Sequence, residues 1–181
     1  MASLSSARHG SASVSLVLGG ARSGKSRFAE GLLAGHEGRR IYLATAEAGD
    51  AEMQARIEDH RRRRGEGWRT MEAPLDIAPA IVGAGEMAIL LDCLTLWLAN
   101  LMAADRDIAK ATEELGDVLS RARAPVVLVS NEVGLGIVPD NALARAFRDE
   151  AGRLNQAMAA QADRVFFLAA GLPLTLKDKA A

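Results

Sequence analysis

Apolar residues in this chain fall into short continuous runs, whereas alternating apolar and polar positions are rare. Five of these runs predict β-strands, at Val14–Leu18, Ile41–Ala44, Met87–Leu91, Val126–Ser130 and Val165–Ala169. Runs that are apolar on both faces are typical of parallel strands covered by helices on both sides of the sheet. Leu174–Leu176 is expected to add a short edge strand at the end of the chain.

Segments with helical periodicity lie between most of these strands. They are Ser26–Ala34, Ala51–Arg64, Leu94–Ala122, which we expect to be interrupted, and Asn141–Gln161. The last of them carries an apolar stripe of Leu143, Phe147, Leu154 and Met158. Asp140, just after Pro139, is its expected N-cap. The alternation of strands and helices predicts an α/β fold with a doubly wound, mostly parallel sheet and helices on both faces.

A complete phosphate-binding motif stands between the first strand and the first helix. The pattern G-x-x-x-x-G-K-[ST] is matched by Gly19, Gly20, Ala21, Arg22, Ser23, Gly24, Lys25 and Ser26. Backbone N–H groups of such a loop form an anion site at the positive end of the following helix. Lys25 is expected to reach the β- and γ-phosphates, and the Ser26 hydroxyl to bind Mg²⁺. The motif specifies the α/β fold as one of the P-loop NTPase type.

Asp92 directly follows the apolar run Met87–Leu91. In P-loop proteins, an aspartate at the end of a buried strand lies beside the metal ion. The same residue could instead be an ordinary N-cap for the helix that begins near Leu94. The phosphate-binding motif elsewhere in the chain favours the metal-proximal interpretation.

A strongly basic segment follows the second strand. On a helix, Met53, Ile57, His60 and Arg64 would share one face, and Arg61, Arg62, Arg63 and Arg64 form a continuous cationic run. The segment could be a surface helix with a basic end and a structural histidine. Alternatively, the arginines bind nucleotide phosphates and disfavour protonation of His60, which leaves a neutral imidazole as nucleophile.

Two loops after predicted strands could form walls of a site. Residues Ala44, Thr45, Ala46 and Glu47 end the second strand, and Asn131–Pro139 follows the fourth. Loops on a rigid sheet often bind substrate, although the second could equally be a structural connection.

Composition narrows the class of protein further. The chain has 181 residues, a formal net charge of -1 and one cysteine, Cys93. We therefore expect a reducing, cytoplasmic location, no nucleic-acid partner, no membrane span and no disulfide or multi-cysteine metal cluster. Residues 1–13 lack the apolar stretch of a secretory signal and are expected to be a mobile tail before a single domain of residues 14–181.

Several segments together resemble one family over nearly the whole chain. They are Gly19–Ser26, Tyr42–Ala46, Glu52 and Met53 with Arg56, Ile57 and His60, Trp68–Thr70, Asp92–Thr95, Asn131–Pro139, and Arg148 with Ala151–Gln156. The chain resembles the bifunctional adenosylcobinamide kinase / adenosylcobinamide-phosphate guanylyltransferase of cobalamin biosynthesis. The stretch Asn131–Pro139 and the segment around His60 are the most specific parts of the match.

The resemblance implies two reactions. ATP or GTP first phosphorylates adenosylcobinamide. GTP then transfers GMP to a histidine, from which the phosphorylated corrinoid takes it to give adenosylcobinamide-GDP. Mg²⁺ or another divalent cation is the implied cofactor, and a homo-oligomer, namely a trimer, is the implied assembly.

Site residues follow from the same resemblance. His60 matches the guanylylated histidine and, with Lys25, is an expected catalytic residue. Nucleotide contacts are implied for Gly19 to Ser26, for Ala44, Thr45 and Ala46, for Arg61 to Arg64, and for Glu72 and Asp92. Position 46 is Ala where relatives often have Ser, and position 92 is Asp where some have Glu.

Three other functions compete with this one. A plain small-molecule kinase would use the phosphate-binding loop and leave His60 structural. A guanine-specific switch usually carries Asn-Lys-x-Asp, and the sequence contains no Asn-Lys pair. A nucleic-acid motor using Arg61–Arg64 would fit poorly with the near-neutral net charge.

Overall fold

The computed structural model describes residues 13–46, 65 and 67–179. Its strands are β1 Val14–Gly19, β2 Arg40–Ala44, β3 Trp68–Glu72, β4 Ala88–Asp92, β5 Val126–Asn131, β6 Arg164–Ala169 and β7 Leu172–Asp178. Its helices are α1 Lys25–Leu32, α2 Ile77–Gly83, α3 Leu94–Ala103, α4 Ile108–Ser120 and α5 Ala142–Gln161. Within this part of the chain, no helix combines the length and apolar content needed to cross a membrane.

The seven strands form one sheet in the order β3-β2-β4-β5-β1-β6-β7. Neighbouring strands are parallel except β7, which pairs antiparallel with β6. β1 lies inside the sheet, with β2 to β5 on one side of it and β6 and β7 on the other, so the chain winds in both directions from β1, as in a doubly wound sheet. The predicted α/β fold with a mostly parallel sheet is confirmed.

Alternate residues of the central strands pack into two separate apolar layers. Leu16 and Leu128 belong to a layer that contains residues of α2, α3, α4 and α5. Val17 and Val127 belong to the opposite layer, which contains Ala29 of α1. Both faces of the sheet are therefore covered by helices, which explains why the strand sequences are apolar without alternation.

Two details of the predicted last helix were wrong. Asn141 is the N-cap of α5 and not Asp140, because the Asn141 side-chain oxygen accepts a hydrogen bond from the Ala144 N–H at 2.7 Å. Leu143 does not extend the buried stripe of Leu154 and Met158, because it lines a cavity between α3 and α5 and is 72% exposed.

Other differences concern the ends of elements. The predicted interruption in Leu94–Ala122 is confirmed, since α3 ends at Ala103 and α4 begins after its N-cap Asp107. β3 and α2 were not predicted as elements, and β7 is longer than the expected edge strand. The predicted helix Ala51–Arg64 and residues 1–12 of the predicted tail lie outside the described residues.

Candidate nucleotide site

The phosphate-binding loop connects β1 to α1 and requires glycine at its two ends. Gly19 has φ 153°, and a Cβ there would lie 2.5 Å from the Leu168 carbonyl oxygen. Gly24 has φ 96° and is the N-cap of α1. Both backbone conformations are ones that L side chains rarely adopt. Glycine is needed here for the path of the chain as well as for access of a phosphate.

The turn between β6 and β7 supports this loop from outside. The Gly171 N–H donates to the Ser23 carbonyl oxygen at 2.9 Å. A Cβ on Gly24 would lie 3.3 Å from the Gly171 Cα. Within the loop itself, the Ser23 N–H donates to the Gly20 carbonyl oxygen at 3.3 Å. The loop conformation is thus held by contacts that do not depend on a nucleotide.

Lys25 is the first residue of α1, and its side chain folds back into the loop. The residue is only 7% exposed, and its Nζ donates to the Gly20 carbonyl oxygen at 2.6 Å. Burial lowers the pKa of Lys25, while the nearby negative charge of Asp92 acts in the opposite direction. A cation that is largely stripped of water interacts strongly with an arriving phosphate.

Three residues that the sequence singled out lie side by side at the carboxyl ends of β3, β2 and β4. Ala44 is in register with Glu72 on one side and with Asp92 on the other. The Tyr42 hydroxyl donates to Asp92 Oδ2 at 3.1 Å and fixes the orientation of that carboxylate. Asp92 does not cap α3, whose N-cap is Cys93. The alternative of an ordinary capping aspartate is therefore ruled out.

Thr45 connects the end of β2 to the end of β4. Its fully buried hydroxyl accepts a hydrogen bond from the Cys93 N–H and donates one to the Cys93 carbonyl oxygen, both at 2.8 Å. Asn100 of α3 donates to the Thr45 carbonyl oxygen at 2.8 Å and to the Pro74 carbonyl oxygen at 2.9 Å. The Thr45 hydroxyl is therefore used within the fold, and α3 lies at this edge of the sheet.

Cys93 follows Asp92 and is buried. Burial raises the pKa of the thiol, and the negative charge of Asp92 raises it further. Since the thiolate is the reactive form of cysteine, a raised pKa makes Cys93 a poor nucleophile. Its role is in packing beside the site.

The end of β5 is held by a network of polar side chains. Thr95 Oγ1 accepts hydrogen bonds from the Asn131 N–H at 2.8 Å and from Asn131 Nδ2 at 3.0 Å. Asn155 of α5 donates to the Asn131 carbonyl oxygen at 3.3 Å and accepts from the Ser130 hydroxyl at 2.7 Å. Gly19 is in register with Asn131, so this network fixes the strand directly beside the phosphate-binding loop.

Comparison with known proteins identifies the family. The chain matches the family described as "Cobinamide kinase / cobinamide phosphate guanyltransferase" over residues 15–176. This chain belongs to that family. The resemblance in the sequence is confirmed, as are the predicted function and enzyme class, a bifunctional kinase and guanylyltransferase of cobalamin biosynthesis. A kinase without guanylyl transfer is not favoured.

The match to curated relatives extends over almost the whole length of each relative. The bifunctional adenosylcobalamin biosynthesis protein CobP of Pseudomonas aeruginosa is 49% identical over 168 residues, which are 91% of this chain and 97% of the relative. The bifunctional proteins named CobU from Salmonella typhimurium and Escherichia coli are each 43% identical, over 90% of this chain and 98% of theirs.

One solved structure supports the fold. The P4 protein of bacteriophage phi6, solved in complex with ADP, has a TM-score of 0.50 and 14% sequence identity over 96% of this chain. The chain spans 62% of that protein's length. At this identity the likeness concerns the fold only, and it agrees with a P-loop NTPase-type sheet.

The site in this cobinamide kinase / guanyltransferase fits a magnesium ion that is held mainly by phosphate. Magnesium in nucleotide sites takes one or two protein oxygens and completes its octahedron with phosphate and water. Among residues 13–46, 65 and 67–179, no cluster of three or more His, Cys, Asp or Glu side chains could hold a metal ion. The Ser26 hydroxyl and the Asp92 carboxylate are the oxygens that the sequence predicts for such an ion. Ser23 adds a buried hydroxyl with no hydrogen-bond partner among the described residues, as expected where a ligand completes the site.

The structure places the phosphate-binding loop and Ala44, Thr45, Glu72 and Asp92 at the same carboxyl edge of the sheet. The charge of Asp92 acts on Lys25, whereas Glu72 ends β3, which is separated from β1 by β2, β4 and β5. Ala46 follows Thr45 and is partly exposed. His60 and Arg61, Arg62, Arg63 and Arg64 lie outside the described residues, so their roles stay predictions.

Sequence reasoning gave no role to several residues that shape the site, namely Tyr42, Thr95, Asn100 and Asn155. The available signal was a polar side chain at an otherwise apolar position, such as Tyr42 within β2. A polar side chain within an apolar strand indicates a buried hydrogen bond, but it does not identify the hydrogen-bond partner.

Proposed function

We propose that both reactions of the family take place at the carboxyl edge of this sheet and share its phosphate-binding loop. The observation that carries the proposal is Lys25, a buried ammonium held inside an intact loop, in a chain that belongs to the family. Phosphoryl transfer is catalysed mainly by positioning and by charge stabilisation. A lysine already fixed against Gly20 provides both.

In the kinase step, the chain's own groups hold the triphosphate. The loop N–H groups and Lys25 bind the phosphate oxygens, while Ser26 and Asp92 are the residues that would hold Mg²⁺. When bound, the ion would neutralise charge between the β- and γ-phosphates. The corrinoid hydroxyl oxygen forms a bond to the γ-phosphorus, the bond to the β-phosphate oxygen breaks, and the hydroxyl proton is released.

In the guanylyl-transfer step, we propose that His60 is the nucleophile. A neutral imidazole nitrogen bonds to the α-phosphorus of GTP, and the bond to the bridging oxygen breaks with loss of pyrophosphate. The phosphate oxygen of cobinamide phosphate then displaces the histidine, and the product is the GDP ester. Arg61 to Arg64 would bind the phosphates. This assignment is supported by the match to the family and by the basic segment that follows His60.

Mass spectrometry after incubation with GTP and Mg²⁺ tests the intermediate. The parent protein should gain one GMP per chain and release pyrophosphate, and the adduct should be labile in acid and stable in alkali. His60→Ala should lose the adduct, whereas His36→Ala, a matched control on a described loop, should keep it. An adduct that persists in His60→Ala would refute the assignment, and no adduct in the parent would leave only the kinase reaction.

Kinase assays test the shared site. Lys25→Ala should abolish both phosphorylation of cobinamide and guanylyl transfer, because no backbone group replaces the lysine ammonium. Ser26→Ala should have the same effect through loss of the metal ligand. Near-parental turnover of either variant in one of the two assays would contradict a common phosphate site.

We also propose that residues 14–181 act as one domain in a cytoplasmic homo-oligomer, namely a trimer. Support for assembly comes from β7, an edge strand on which Leu172, Leu174 and Leu176 are exposed. Such apolar patches commonly mark contact surfaces. Light scattering on the purified protein measures the number of copies, and a monomer would contradict this assignment.

A further inference from the structure

The connection between β5 and α5 exposes an unusual number of large apolar side chains. Ile137 is 98% exposed and Leu135 is 81% exposed, and Val138 is also largely exposed. Exposed apolar residues scattered singly are normal, but a cluster within one short loop indicates a binding surface. This loop follows the carboxyl end of β5, where a ligand of a doubly wound sheet is expected.

The loop is fastened at both ends. At its start, the Glu132 N–H donates to the Gly19 carbonyl oxygen at 3.0 Å, and the Glu132 carboxylate accepts from the Gly134 N–H at 2.6 Å. At its far end, Arg145 Nη1 donates to the carbonyl oxygens of Pro139 at 2.9 Å and Asp140 at 2.7 Å. The apolar side chains are therefore presented by an anchored loop whose first residues touch the phosphate-binding loop.

An apolar cavity lies where this loop enters α5. It has a volume of about 440 Å³ and lies between α3 and the first turns of α5, with Met102, Leu143 and Phe147 among its lining residues. Asn141, the residue that leads from the loop into α5, also lines it. Because Asn100 of α3 bonds to the carbonyl oxygen that follows β2, this cavity lies at the same edge of the sheet as the nucleotide site.

We propose that this apolar surface, formed by Leu135, Ile137, Val138, Leu143, Phe147 and Met102, binds the corrin ring of the substrate in both reactions. The proposal rests on the proposed function, because it takes the corrinoid as the phosphoryl and guanylyl acceptor. A corrinoid is a broad macrocycle with largely apolar faces and amide groups at its rim. Its reacting group must reach the phosphates while the ring lies on protein close by. The loop root beside Gly19 gives the surface that position.

The chemistry distinguishes this occupant from the nucleotide. A triphosphate needs cations and N–H donors, which the phosphate-binding loop supplies. The apolar surface contains no charged side chain among its six members and is suited to a ring held by burial of apolar area. Since the ring is unchanged by phosphorylation, the same surface should serve the acceptor in the kinase step and in the guanylyl-transfer step.

Steady-state kinetics on the full-length double variant Leu135→Ser/Ile137→Ser tests the proposal. We expect KM for cobinamide and KM for cobinamide phosphate each to rise about tenfold or more, because two apolar side chains lose their contact with the ring. The Kd for GTP and the corrinoid-independent incorporation of GMP should be unchanged. The last readout also separates the two proposals, because it reports on guanylyl transfer to His60 without a corrinoid.

Val82→Ser is the matched control. Val82 is 67% exposed and lies near the end of α2, whose chain then enters β4 at its amino end, so it is on the opposite edge of the sheet. It should leave both KM values unchanged. Equilibrium dialysis with cobinamide, followed by its visible absorption, measures ring binding directly even if the parent forms no GMP adduct.

Two outcomes would overturn the proposal. One is an unchanged affinity for the corrinoid in the double variant. The other is a change in the number of copies per particle by light scattering, which would assign the surface to contact between copies of the chain.

Discussion

Replacing Gly19 by alanine should destabilise the protein by distorting the start of the phosphate-binding loop. The added Cβ would lie 2.5 Å from the Leu168 carbonyl oxygen and 2.8 Å from Ser23 Oγ, at a backbone φ of 153°. The serine can rotate, but the carbonyl belongs to the neighbouring strand β6 and can move only with that strand. Overpacking of this kind costs about 1–3 kcal/mol. For a chain of this size, that loss lowers Tm by about 2–12 °C.

The adjacent glycine provides a matched control within the same loop. A Cβ on Gly20 would meet nothing within 4 Å, and its φ is outside the left-handed region. Gly20→Ala should therefore change the free energy of unfolding by less than about 0.5 kcal/mol. Calorimetry and urea denaturation without nucleotide compare the two variants. Equal stabilities would refute the argument that the contact with β6 determines glycine at position 19.

Three further predictions concern side chains around the site. Lys25→Met should be more stable than the parent at neutral pH, and the difference in free energy of unfolding should shrink toward pH 10.5. The reason is that the lowered pKa of Lys25 makes the parent's stability rise with pH up to 10.5, the ordinary pKa of lysine. Urea denaturation across this pH range measures the difference, and a constant difference would contradict the prediction. Tyr42→Phe should raise the Mg²⁺ concentration needed for half-maximal kinase activity and lower the free energy of unfolding by about 1–3 kcal/mol, because the Asp92 carboxylate loses a hydrogen-bond donor. An unchanged dependence of activity on Mg²⁺ would argue against orientation of Asp92 by Tyr42. Thr45→Val should cost about 1–3 kcal/mol more than Thr45→Ser, since only valine leaves the buried Cys93 N–H without its acceptor; similar melting curves for both would show that the hydroxyl contributes little.

Local patterns in the sequence predicted the elements that are apolar throughout. The central strands and the phosphate-binding loop were found because each is defined by its own residues. β3 was missed because it is an edge strand whose residues Trp68–Glu72 are all partly or fully exposed. It therefore has no continuous apolar run. The N-cap of α5 was misplaced by one residue because Asp140 and Asn141 have almost equal capping preference.

The geometry of the site depends on pairing between distant segments. Ala44 lies between Glu72 and Asp92 only because β2 is inserted between β3 and β4. The bonds from Thr45 to Cys93 depend on the same insertion. No local signal in the sequence specifies which strands are neighbours, so these contacts could be known only from the fold. For Leu135 and Ile137 the sequence predicted a loop, but their exposure of 81% and 98% could be known only from the fold.

The hydrogen bond from the Gly171 N–H to the Ser23 carbonyl oxygen makes the end of the chain part of the nucleotide site's scaffold. Ala170 and Gly171 both have positive φ, so the turn from β6 into β7 is tight. The direction of the Gly171 N–H therefore depends on the conformation of this hairpin. A truncation that removes β7, or a fusion that pulls it from the sheet edge, would therefore weaken nucleotide affinity although no residue of β7 belongs to the phosphate-binding loop. In variant libraries of this protein, losses of activity that map to the last ten or so residues should be examined as defects in triphosphate binding before they are attributed to misfolding.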